Sequence, residues 1–218
     1  GNRKNGFYMV RIGKMIVSFG TAAMLASCGN PGQKADGDFR YLIDEFADLK
    51  IMRYRIPGWD SLSLKQKEYV YHLGEAAKYG RDIIWVQNCE ANLPVRKALE
   101  KIISGYGGDR GCKDFQDFLV YAKRVFFSNG IHHHYAEDKF FPACSREYFG
   151  SLLTSVGLGD ESGYLLDVIY NPDVFPQRKS TDASGDIVAE SAVNFYDNVT
   201  REEVEKFYAG MIDPDDPQ

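Results

Sequence analysis

The chain has 218 residues, with 26 Lys and Arg against 31 Asp and Glu and a net charge of -5. With 44% hydrophobic and 26% charged residues, its composition is that of a globular protein and excludes a disordered or collagen-like chain. The acidic balance argues against nucleic acid as a partner, because neutralising phosphates takes a surplus of Lys and Arg on one face.

Arg3, Lys4, Arg11 and Lys14 precede the apolar run from Met15 to Leu25. That run is too short to span a bilayer, for which a helix needs about 20 apolar residues. A basic start followed by a short apolar stretch and small residues is the pattern of an export signal. Leu25-Ala26-Ser27-Cys28 resembles a bacterial lipobox, in which cleavage precedes the Cys and its thiol receives a diacylglycerol. The alternative is a short hydrophobic helix with an incidental Cys. The lipobox reading makes residues 1–27 a signal region and Cys28 the lipidation site. The chain is then expected in the bacterial cell envelope, touching the membrane only through its lipid. Met9 is a candidate start, which would leave residues 1–8 as over-extended reading frame.

Residues 28–38 read as a flexible tether, rich in Gly and polar residues with no periodic apolar set. Phe39, Leu42, Ile43, Phe46 and Leu49 then recur at helical spacing, and Ile51–Ile56 has strand character ended by Pro57-Gly58. Ser63 with Gln66 forms a capping box opening a helix that should end at Gly80, with His72 as a packing residue inside it. The run Ile83–Val86 fits a buried helix or a strand. Pro94 suits the first turn of a helix whose inner stripe is Val95, Leu99, Ile102 and Ile103.

Gly105–Gly111 is Gly-rich but matches no phosphate-binding fingerprint, and reads as a plain connection. Phe115, Phe118, Leu119, Ala122, Val125 and Phe126 mark the clearest amphipathic helix. Ser145 caps another, closed by Gly157, and Tyr164–Tyr170 continues as helix until Asn171-Pro172. Residues 171–186 suit a long surface excursion or a hairpin. Thr200 with Glu203 is a second capping box, and residues 213–218 form an acidic, proline-broken segment resembling an interior loop cut open. The expected fold is mainly α with a minor β component, an α+β chain. Cys89, Cys112 and Cys144 have no paired spacing and read as small buried residues, with one bridge possible in an oxidising compartment.

The densest polar feature runs from Ser128 to Lys139 and holds three of the four His residues. In an extended segment His132 and His134 point to one face, where Glu137 or Asp138 could complete a metal shell. No second ligand pair stands elsewhere at ligand spacing, so no metal ligand is assigned. A cleft-lining role for Asn129, His132, His134 and Tyr135 fits the mixture of aromatic faces and hydrogen-bonding groups better. No Gly-x-Ser-x-Gly elbow is present, and Glu202-Glu203 belongs to a helix first turn, so no catalytic residue is assigned.

Two stretches, RYRIPGWDSLSLKQKEYVYHLGEAAKYGRDIIWVQN (Arg53–Asn88) and FLVYAKRVFFSNGIHHHYAEDKFFP (Phe118–Pro142), stand either side of NLPVRKALEKI. Together they resemble the N-terminal part of the dipeptidyl peptidase III family, zinc exopeptidases that release dipeptides from peptide N-termini. The resemblance spans about residues 39–212 and implies the N-terminal portion of a two-lobed enzyme with a peptide as substrate. That family carries its chemistry in His-Glu-x-x-x-His and a later Glu-Glu motif. This sequence has no His followed by Glu, and Glu202-Glu203-Val204-Glu205 lacks the family's continuation. Zinc is therefore expected in a full-length parent, with ligands outside this chain, and the missing C-terminal part of the same polypeptide is the implied partner. The alternative is a non-catalytic envelope lipoprotein that binds peptides or a protein.

Overall fold

Lys113–Ser128 forms a helix because its apolar residues fall on one stripe, and that stripe is the spine of the protein: Phe115, Phe118, Tyr121, Ala122 and Val125 are all buried. In the computed structural model, residues 39–196 and 198–212 are described. The expectations placed on residues 1–38, among them the Cys28 anchor and the tether, and on residues 213–218 lie outside the described residues. Residues from Tyr41 onward make one unit.

The chain is mainly helical with one small sheet, an α+β architecture. Its elements are β1 (Leu42–Phe46), β2 (Leu49–Met52), α1 (Leu64–Tyr79), α2 (Arg81–Asn88), α3 (Asn92–Gly105), α4 (Lys113–Ser128), α5 (Arg146–Ser155), α6 (Ser162–Tyr170) and α7 (Arg201–Ala209). The core gathers α3, α4, α5 and α6, with Trp85 and Cys89 from the end of α2 and Ile131 and Phe140 from the segment after α4. Aromatic rings run through it in sequence. Tyr106 stacks on Phe115 at 5.0 Å, Phe115 meets Phe118 at 5.4 Å, Phe118 meets Phe149 at 5.3 Å, and Phe149 meets Tyr170 at 6.0 Å. Such pairs add about 1 kcal/mol each beyond the area they bury.

Local signals place most helix ends. Ser63 and Gln66 make the reciprocal capping box that opens α1, Thr200 and Glu203 do the same for α7, and Ser145 caps α5 by accepting from the Tyr148 amide. Gly157, at φ 72, turns the chain after α5, where a side chain would be strained. The Ile83–Val86 run is helical. The Gly-rich connection after α3 is fastened by Arg110, whose guanidinium donates to the Tyr106 and Ile103 carbonyls.

Three expectations are overturned. The helix over Phe39–Leu49 is a β-hairpin: Asp44 pairs with Ile51, and Phe46 with Leu49, around the positive-φ Ala47. The strand expected at Ile51–Ile56 starts earlier and ends at Met52. Leu42, Asp44 and Phe46 face inward together, with Asp44 bound to Lys123 of α4 at 2.7 Å and Lys123 over the Phe46 ring. A carboxylate on the inner face hides the alternation expected of a strand. The third correction is His72, which is exposed, like its neighbours: α1 has no buried residue at all.

Candidate functional site

The segment from Ser128 to Phe141 is built on the end of α4. Asn129 takes the left-handed conformation at φ 54, as Asn readily does at a helix C-terminus, and its carbonyl accepts from Asn88 Nδ2 at 3.2 Å. Asn92, fully buried at the start of α3, fixes the chain beyond Asn129: Nδ2 donates to the Trp85 carbonyl at 3.1 Å and Oδ1 accepts from the Ile131 amide at 3.0 Å. A Cβ on Gly130 would run into that side-chain amide, so the close approach requires glycine.

From there the chain makes a tight return. His132 and Lys139 bridge as antiparallel neighbours, the His133 amide donates to the Asp138 carbonyl at 2.7 Å, and Phe140 donates to Ile131 at 2.8 Å. Asp138 pairs in turn with Gln177, so the segment after α6 lies alongside as a strap over residues 171–178. Ala192 and Val193 continue the layering by donating their amides to the Gln177 and Arg178 carbonyls.

Three charged or titratable side chains of the return reach the strap. His132 is buried, with Nε2 at 2.8 Å from the Phe175 carbonyl, and burial foremost depresses the imidazole to about 4. Lys139 is buried and donates from Nζ to the Asn171 and Val174 carbonyls, both at 2.7 Å, and desolvation lowers the amine to about 8. Glu137, at φ 68, receives both Nε and Nη2 of Arg178 at 2.7 and 2.8 Å. That fork holds the carboxyl below its usual range and raises the guanidinium.

The four residues expected to line one cleft are therefore divided. His132 faces inward to the strap. His134 stacks on His133 at 4.7 Å and against Tyr135 at 4.3 Å, with Ser128 Oγ 3.4 Å from its Nδ1. Tyr135 is largely exposed and Asn129 serves the helix end. Two grooves stand out among the described residues, and none of these four lines either. One, of about 420 Å³, is lined by Glu90, Phe175, Val188, Val193 and Tyr196 among others. The other, of about 250 Å³, lies between α3 and α6. The residues that organise the site without any mark in the local sequence are Asn92, Phe175 and Arg178, while Lys139 closes the marked segment but is not singled out within it. Their importance is in long-range contacts that no local spacing announces.

Cys89 and Cys144 are buried and Cys112 half-buried, and all three are free thiols. Burial pushes the Cys89 thiol up to about 11, far from nucleophilic ionisation. Among the described residues no group of three or more His, Cys, Asp or Glu converges as the three ligands of a zinc centre would. Also among the described residues, no helix is long and apolar enough to cross a membrane. Comparison with protein-family models and with curated proteins finds no match.

Proposed function

We propose that this chain is the N-terminal part of a zinc dipeptidyl peptidase of the dipeptidyl peptidase III type, carried on a lipid-anchored envelope protein. In that reading it supplies a scaffold for the peptide-binding lobe while the zinc-binding residues lie elsewhere in the polypeptide. The observation that carries the reading is the extended resemblance of Arg53–Asn88 and Phe118–Pro142 to that family. Two structural features are consistent with it. The segment Phe118–Pro142 is multiply bonded, its buried and half-buried groups holding other parts of the fold, as a scaffold requires. In addition, α1 and α7 present Tyr69, Tyr71, Leu73, Phe207 and Tyr208 to the outside, surface of the kind that packs against further protein.

A zinc hydrolase needs three protein ligands, an open position that acidifies water, and a base to steer it. Residues 1–218 are accordingly expected to release no arylamine from a dipeptidyl arylamide with zinc added. Turnover above a protein-free control would count against the proposal. Genomic DNA read past the Gln218 codon separates the two readings. A continuing frame containing His-Glu-x-x-x-His supports the peptidase, whereas an immediate stop supports the non-catalytic lipoprotein that binds peptides or a partner.

A further inference from the structure

We propose that His132 is an acid-sensitive latch on the larger groove: protonating its ring loosens the strap at residues 171–178 and with it the Phe175 wall. His132 Nε2 holds the carbonyl of Phe175, a bulky residue at φ 50 in the left-handed region. Such a residue is under backbone strain and stays there only while its surroundings hold it. Phe175 lines the groove, and the strap's Gln177 and Arg178 carbonyls hold the amides of Ala192 and Val193, which line it too.

The neutral ring fits this place with its proton on Nε2, leaving Nδ1 buried and without a hydrogen-bond partner. Protonation adds an N–H at Nδ1 that finds no acceptor there, and a buried cation beside Lys139 and Arg178. Glu137, the opposite charge acting on the ring, is already engaged by the Arg178 fork. The closed ring titrates at about 4 and a solvated one near its ordinary 6.5, so acid favours the form in which His132 is released. Between pH 7 and pH 5 that difference multiplies the opening equilibrium of the strap on the order of 20-fold. Glu137, held below its usual range, and Lys139, at about 8, keep their charges over most of that interval.

Hydrogen exchange of residues 1–218 at pH 7 and pH 5, corrected for intrinsic rates, tests the latch. The hydrogen-bonded amides of Val174, Arg178, Ala192 and Val193 should lose protection on the order of 20-fold while those of α4 do not. His132→Gln keeps an N–H for the Phe175 carbonyl and cannot be protonated, so its acid response should vanish. The double variant His133→Gln/His134→Gln should retain the response. An equal loss in His132→Gln, or no selective loss in the unaltered chain, overturns the proposal. Should His132→Gln fail to fold, the His132 ring titration followed by NMR in the unaltered chain decides: a midpoint below 5 supports the latch, and one near 6.5 refutes it.

Discussion

Asn92 uses both ends of its side-chain amide inside the protein, one on the Trp85 carbonyl and one on the Ile131 amide, joining the end of α2 to the segment after α4. Removing it leaves the buried Ile131 amide without a partner, at about 1–3 kcal/mol, and leaves the Trp85 carbonyl with the Cys89 amide as its one remaining donor. Asn92→Ala should therefore lower unfolding free energy by about 3 kcal/mol in a urea titration. Asn88→Ala, which removes one bond from a half-buried residue, should cost about 1 kcal/mol. Equal small losses would show that Asn92 is not the clamp. Nothing local in the sequence marks Asn92, which reads only as a polar residue two before Pro94. His132 is conspicuous because it sits in a run of three His, but its inward orientation is not, since Phe175 lies 43 residues further on.

At the scale of elements, legibility depends on how local the cause is. The ends of α1, α5 and α7 are readable because Ser63, Ser145 and Thr200 act on amides within three residues. The core stripes of α3 and α4 are readable because burial follows the helical period. The hairpin is not. Phe39, Leu42, Ile43, Phe46 and Leu49 match a helical spacing, and the turn at Ala47-Asp48 lacks the Gly or Asn that announces a tight hairpin. Its conformation depends on α4: Asp44 on Lys123 at 2.7 Å and Asp48 on Arg124 at 3.0 Å. The caps carry a prediction of their own. Because α1 and α7 have no buried residue, their local stability rests heavily on the capping boxes. Ser63→Ala and Thr200→Ala should each cost about 1 kcal/mol of helix stability, roughly a five-fold loss of amide protection confined to the capped helix. The global unfolding midpoint should hardly move. A midpoint that drops with the protection would mean that these helices belong to the cooperative core.

Across the whole molecule the apolar residues are unevenly used. The region from α3 to α6 closes over its aromatic chain, whereas Tyr69, Val70, Tyr71 and Leu73 on α1, Ile83 and Ile84 on α2, and Phe207, Tyr208 and Met211 in and just after α7 stay exposed. Single exposed apolar residues are ordinary, but α1 and α7, whose apolar side chains are nearly all exposed, leave surface that water disfavours at about 25 cal/mol per Å². Residues 29–218 should accordingly bind a hydrophobic dye and self-associate as concentration rises, as read by fluorescence and light scattering. The association should come from those faces and not from a loosened core. The double variant Val70→Lys/Leu73→Lys should therefore reduce scattering and dye binding several-fold, with the cooperative melt retained because neither side chain is buried. A dye-silent monomer at all concentrations would show that α1 needs no cover, and would remove one support for a larger enzyme. A variant that associates as strongly as the unaltered chain would instead place the sticky surface elsewhere, with α7 and its Phe207 the next to alter.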